Sequence, residues 1–241
     1  MKEVIPGVYN FTGLGMGRVY LIEDEDGFTL IDVGKFSAPA RIVKQMEARG
    51  LQADRIRRIL ITHAHSDHAE GAPVFQALSG AQVMCSAVER PAVEGEVPVP
   101  VPKREKLPGL LRLASYVPIW YSYPPKTMRP ARVDRELADR ETLPEVLGGL
   151  QVLFTPGHTP GHLSFWQPER RILFCGDAFM RLPRRGLTLP YPLSTVDMQE
   201  ARRSIPQLAD LEPVVICFGH GDPLMENAAQ KLRAFAAKEG R

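Results

Sequence analysis

The chain has 241 residues, of which 44% are hydrophobic and 24% charged, with a formal net charge of +2. That length suits one large domain or two small ones and buries a real core. The near balance of charge argues against a dedicated nucleic-acid binder, whose basic excess would be larger and clustered. No apolar run approaches the ~18 residues of a membrane span, and MKEVIPGVYNFTGLG at the N-terminus holds no apolar segment of signal-peptide length. Cys85, Cys175 and Cys217 are odd in number, far apart and each set in an apolar stretch, so they read as three buried thiols in a reducing compartment. The expectation is a soluble, cytoplasmic protein.

In chain order, residues 19–34 (VYLIEDEDGFTLIDVG) read as a hairpin turning at Asp26-Gly27, a dipeptide suited to positive φ. Residues 37–50 (SAPARIVKQMEARG) read as a helix with Ser37 as N-cap, Ile42, Val43 and Met46 on one face, and Gly50 as its stop. A strand over 56–61 runs into a histidine cluster; a helix over about 69–78, closed by Gly80, and a strand over 81–87 complete the first half. The second half repeats the rhythm. It offers a strand at 150–155, a hairpin of 163–166 with 171–175 across Pro168-Glu169, a helix at 198–211 despite Pro206, a strand at 214–218 and a closing helix at 227–237. Two halves, each a sheet followed by helices, predict an α/β fold of four layers, αββα, with two sheets face to face and helices outside.

Residues 1–241 then form one domain interrupted at about 89–139. There VPVPVPKREKLPG is proline-rich and LLRLASYVPIWYSYPP is apolar and aromatic without clean periodicity. The stretch reads as a lid or an oligomer contact, which leaves a homodimer open. Trp120, Tyr121 and Tyr123 are its candidates for lining a substrate pocket. The prolines and irregular pattern favour a pocket cover or a dimer contact over an interfacial membrane helix.

ILITHAHSDHAEGAP places His63, His65, Asp67 and His68 within six positions, directly after a strand. Zinc and its neighbours take imidazole nitrogen and carboxylate oxygen and need several such groups at one point. An extended segment sends alternate side chains to one side, so His63 and His65 can reach one ion while Asp67 and His68 reach a second. Surface loop histidines would not explain four potential ligands at this spacing. Three more candidates stand where other strands end, each introduced by glycine: His158 in TPGHTPGH, Asp177 in FCGDAF and His220 in CFGHGD. Together they account for five of the six histidines, and the sixth, His162, reads as a supporting residue rather than a ligand. Cys175 reads as core, since a carboxylate is available beside it.

HxHxDH followed downstream by His, Asp and His resembles the metallo-β-lactamase superfamily, in its glyoxalase II-like or lactonase-like branches, over essentially the whole chain outside 89–139. The resemblance implies the αββα sandwich and two metal ions, Zn2+ with Fe or Mn as alternatives. His63, His65 and His158 would hold the first, Asp67, His68 and His220 the second, and Asp177 would bridge them. Two ions about 3.5 to 4 Å apart share a hydroxide and polarise a carbonyl. The implied function is therefore hydrolysis of an ester, thioester or lactone of a small-molecule substrate by a bridging hydroxide, with Asp67 both a ligand and the catalytic group that orients or receives the proton.

Other branches are set apart by particular features. In the β-lactamases the bridging position is not filled by Asp. Glyoxalase II is similar through TPGHTPGH and GD but carries a helical C-terminal domain for which little follows His220 here. A mononuclear iron persulfide dioxygenase is the alternative from another class, because nitrogen and oxygen ligands alone do not separate iron from zinc. A nuclease is less favoured: its only hint is Arg181, Arg184 and Arg185 near Asp177, which read as a solvated loop or a grip on a small anion. A non-catalytic metal-binding protein would not need so complete a set of donors. Neither a nucleic acid nor a membrane is expected as a partner.

Overall fold

The computed structural model describes residues 1–103, 105, 107, 109–114 and 127–239. Its first sheet has seven strands in sequence order: β1 (Lys2–Ile5), β2 (Val8–Asn10), β3 (Tyr20–Asp24), β4 (Gly27–Ile31), β5 (Ile56–Leu60), β6 (Gln82–Ser86) and β7 (Arg135–Leu137). β1 to β4 form an antiparallel meander, and β4 to β7 run parallel. Parallel neighbours need crossovers. These are α1 (Ala38–Glu47), then α2 (Ser66–Ala69) with α3 (Ala72–Ser79), then α4 (Arg90–Val93) with α5 (Gly109–Ala114). The second sheet comprises β8 (Thr142–Leu143), β9 (Leu150–Phe154), β10 (Leu163–Gln167) and β11 (Ile172–Gly176). A separate hairpin of β12 (Met180–Leu182) and β13 (Gly186–Thr188) follows, then α6 (Met198–Ala209), β14 (Val215–Phe218), which pairs with β11, and α7 (Ala228–Glu239).

Strand alternation explains the layers, because successive side chains point to opposite faces. Tyr20 and Ile22 of β3 join Leu150, Val152, Phe165 and Phe174 in a buried cluster between the sheets. Leu21, between them in sequence, faces the other way and packs with Ile42, Met46 and Phe75 of α1 and α3. On the far side Leu153, Leu173 and Ile216 pack with Ile205 and Leu208 of α6 and Leu232 and Phe235 of α7. Three apolar interfaces therefore separate four layers, as the sequence leads one to expect. Among the described residues no helix is long and apolar enough to cross a membrane.

Several local expectations are corrected. Gly27 already pairs with Asp24, so the hairpin turns at Glu25-Asp26, one residue earlier than expected. Ser37 precedes α1 but its side chain makes no capping bond. The helix expected over 69–78 begins at Ala72 as α3, and a separate short helix, α2, precedes it. The His68 carbonyl accepts from Val33 and the Gly71 amide donates to Gly34, which draws the backbone at the break onto the end of β4. α6 does run through Pro206, whose ring lies on the exposed side. Within 89–139 the described residues include α4, α5 and β7, so both ends of the stretch carry regular structure.

Phe165 is fully buried between the sheets, whereas Asp197 caps α6 by accepting from the Gln199 and Glu200 amides at 2.9 and 3.0 Å. Phe165→Ala is expected to lose about 3–5 kcal/mol in chemical denaturation, and Asp197→Ala about 1 kcal/mol. Equal losses would contradict this assignment of the core.

Candidate metal centre

Asp32 follows β4, His63 follows β5, His158 follows β9, Asp177 follows β11 and His220 follows β14. β4 and β5 are parallel, as are β11 and β14, and β9 shares the direction of β11 through their common antiparallel neighbour β10. Each sheet thus delivers its residues at the carboxyl ends of its strands, where loops are free to carry chemistry. Past His63 the chain is still extended at His65 and then winds into α2, which carries Asp67 and His68 in a single turn.

Three groups of potential ligands result: His63, His65 and His158; His63, His68 and Asp177; and Asp67, His68 and His220. In the first, His65 Nδ1 lies 3.0 Å from both His63 Nε2 and His158 Nε2. The outer nitrogens fix the tautomers, as assigned from the hydrogen-bond network. Thr62 Oγ1 has one proton and gives it to Asp32, so it accepts from His63 Nδ1 at 2.9 Å. Thr195 Oγ1 donates to the Tyr191 carbonyl and so accepts from His158 Nδ1 at 3.2 Å. The Pro100 carbonyl can only accept, and it takes His65 Nε2–H at 2.7 Å. Three lone pairs therefore converge with no proton among them. Ligands on tetrahedral zinc, with bonds of about 2.0–2.1 Å, sit about 3.3 Å from one another. The set fits a divalent cation.

The second half of the centre is carboxylate-rich. Asp177 Oδ2 lies 3.2 Å from His220 Nε2, 3.4 Å from His158 Nε2 and 3.7 Å from His68 Nε2, between the two sets. Its Oδ1 is buried without a hydrogen-bond partner. Asp67 Oδ2 is 3.3 Å from His220 Nε2, and His68 Nδ1 donates to Asp32 at 2.7 Å. Burial alone would raise both carboxyls of the centre, but His220 and His68 hold Asp177 and Asp67 well below the usual range. Burial would lower the two histidines, but Asp177 and the other carboxylates raise His68 to about 9 and His220 to about 11. His63 and His158, without such dominance, are driven far down by burial and by neighbouring imidazoles.

His162 is excluded from ligation because both ring nitrogens are engaged. Nε2 accepts the Asp177 amide at 2.9 Å, and Nδ1 donates to Thr155 Oγ1, from which a relay runs through Ser164 Oγ to the Cys175 carbonyl. Burial pushes it down to about 3, so it stays neutral. Cys175 is core, its thiol 3.6 Å from the Gly176 and Phe179 carbonyls. Gly219 is needed for close approach: a methyl there would overlap Asp177 Oδ1 and press on His68. Arg181 donates to the Asp222 and Pro223 carbonyls, beside His220, while Arg184 and Arg185 belong to the turn of the β12–β13 hairpin. Trp120, Tyr121 and Tyr123 lie outside the described residues.

Sequence reasoning missed Asp32, Thr62 and Thr195. Asp32 is 2% exposed and non-glycine at φ +58°, a strained conformation held by the bonds to Thr62 and His68. A carboxylate at the end of the apolar run FTLI is the signal that could have found it.

Metal ligation requires unprotonated nitrogens. In the metal-free protein the raised values of His68 and His220 stabilise the fold fully below their ordinary value of 6.5, and that contribution is lost as pH rises through about 9 and about 11. Zinc titration of metal-free protein at about pH 7.5, by calorimetry in buffers of different ionisation enthalpy, is therefore expected to show proton release. The metal-free Tm should fall as pH rises from about 7 to about 11 while the loaded protein holds. Uptake without proton release would contradict this picture of the second cluster.

The family model of the metallo-β-lactamase superfamily matches residues 12–220. The probable metallo-hydrolase YflN of Bacillus subtilis is 28% identical over 235 residues, covering 92% of this chain and 86% of its own. A hydroxyacylglutathione hydrolase of Cereibacter sphaeroides is 28% identical over 199 residues; the match covers 82% of this chain but only 58% of that enzyme. Among solved structures, a metallo-β-lactamase family protein of Thermus thermophilus superposes with a TM-score of 0.71 at 26% identity, covering 99% of this chain and 81% of the other. The subclass B3 metallo-β-lactamase MEM-A1 gives 0.70 at 19% identity, covering 99% and 92%, a likeness of fold alone. With the model spanning most of its length, and its donors gathered at the strand ends, this chain belongs to the metallo-β-lactamase superfamily.

Proposed function

We propose that the protein is a dinuclear metal-dependent hydrolase of a small-molecule ester, thioester or lactone. The observation that supports the reading most directly is the meeting of two donor sets at Asp177, one an all-histidine set without protons and the other rich in carboxylates. His63, His65 and His158 would hold one cation, Asp67, His68 and His220 the other, with Asp177 between. When bound, the cations supply Lewis acidity and a water acidic enough to attack a carbonyl near neutral pH.

The chain's own residues do the rest. Asp32 accepts a hydrogen bond from His68 Nδ1–H and so keeps Nε2 aimed inward. His162 holds the backbone amide of Asp177 and thereby fixes the carboxylate between the sets. Asp67, kept anionic by His68 and His220, is suited to accept a hydrogen bond and orient a reacting water rather than to store a proton. His220 is 21% exposed while the other ligand side chains are nearly or fully buried, so solvent and substrate approach from its side. A thioester is the substrate to try first, because the C. sphaeroides relative is named a hydroxyacylglutathione hydrolase.

Metal quantification followed by a panel of thioester, lactone, ester, phosphodiester and β-lactam substrates tests this reading. Two metal ions per chain are expected, with carbonyl-ester or thioester hydrolysis that a chelator abolishes and Zn2+ restores. One iron per chain with oxygen consumption would instead support the dioxygenase alternative, and chelator-resistant turnover would overturn metal dependence. Asp177→Ala is expected to lose one metal and about 10²-fold or more in turnover; full metal content with unchanged turnover would remove Asp177 from its proposed role.

A further inference from the structure

Glu89 stands immediately before α4 and is 1% exposed. Its two carboxylate oxygens have different partners. Oε2 accepts the Ala64 amide at 2.8 Å and Oε1 accepts the Gly161 amide at 2.7 Å. Ala64 lies between His63 and His65, and Gly161 lies between His158 and His162. One side chain therefore ties together the two loops that supply all three nitrogens of the first donor set, one loop from each half of the sandwich. Ser86 Oγ adds a bond to the Gly161 carbonyl at 2.7 Å. Gly161 admits this approach because any Cβ there would press on Ser86 Oγ, Glu89 Cγ and Val88 Cβ. Among the described residues, the Glu89 side chain makes no hydrogen bond to Asp67, His68 or His220 themselves.

We propose that Glu89 is a positioning residue for the His63, His65 and His158 set, a buried clasp that fixes the spacing of two ligand loops and so governs metal affinity at that set alone. The proposal rests on the reading that this set holds a metal. Two acceptors are required at once, and only a carboxylate of this length offers them. Glutamine presents one acceptor and one NH2 donor, so one of the two backbone amides would face a second donor.

Zinc affinity is measured with a competing chelator in two backgrounds. His220→Ala leaves the first set whole, and His158→Ala leaves the second. Glu89→Gln is expected to weaken binding about ten- to hundredfold in the first background and less than about threefold in the second. The visible spectrum of the cobalt(II)-loaded His220→Ala protein should change with Glu89→Gln, and exchange of the Ala64 and Gly161 amides in metal-free protein should accelerate. Should Glu89→Gln not fold, Glu89→Asp, which keeps both acceptors on a shorter stem, carries the same comparison. Equal losses in both backgrounds, or unchanged affinity in the His220→Ala background, would overturn the proposal. If neither background takes up metal before Glu89 is altered, the metal reading itself fails, and amide exchange at Ala64 and Gly161 still decides whether the clasp exists.

Discussion

An imidazole has two nitrogens, and at this centre the outward one is committed to a partner in each of four histidines. His63 donates to Thr62, His158 to Thr195, His65 to the Pro100 carbonyl and His68 to Asp32. What remains on the inward side of the first set is lone pairs at 3.0 Å, an arrangement that repels itself unless a cation lies among them. The second set solves the same problem differently. There the carboxylates of Asp32, Asp67 and Asp177 raise His68 and those of Asp67 and Asp177 raise His220, so the metal-free set keeps protons that a metal would have to expel. One half of the centre is thus preorganised by tautomer and the other by charge.

That chemistry depends on the sandwich holding strand ends in register. Two sheets packed through the cluster around Phe165 and Phe174 present strand ends to the same space, and residues following strands of both sheets meet there. The partners of the ligands come from the same few places. Asp32 and Thr62 end adjacent strands of the first sheet, and Thr155 with Ser164 link adjacent strands of the second to His162. Rigidity in the layers is what lets short polar side chains at their ends act as fixed acceptors and donors.

Much of this was legible in the sequence. HxHxDH and the three strand, glycine and ligand repeats carry chemistry in local spacing, and alternation of apolar residues marks the strands that bear them. What local pattern does not carry is a partner far along the chain. Asp32 acquires its meaning from His68, 36 residues away, and Glu89 from Gly161, 72 residues away. Likewise the split between α2 and α3 follows from Val33 and Gly34 capturing backbone groups of His68 and Gly71, which helical periodicity cannot register. The short strands β1, β2, β7, β8, β12 and β13 have too few residues to show alternation, and pairing with neighbours defines them.

The segment around His220 is tied to residues 18–20, about two hundred positions earlier. The Arg18 amide donates to the Gly219 carbonyl, the Arg18 guanidinium reaches the Gly221 carbonyl and Asp222, and the Tyr20 hydroxyl donates to the Phe218 carbonyl. These bonds close loops of about two hundred residues, and such distant closures are slow because chain entropy is lost before they form. A nascent polypeptide can therefore assemble its histidine trio only after the strands around His158 have begun to fold, and His220, about sixty residues further on, joins later still. Gathering of the donors is in this sense a late event of folding, set by topology.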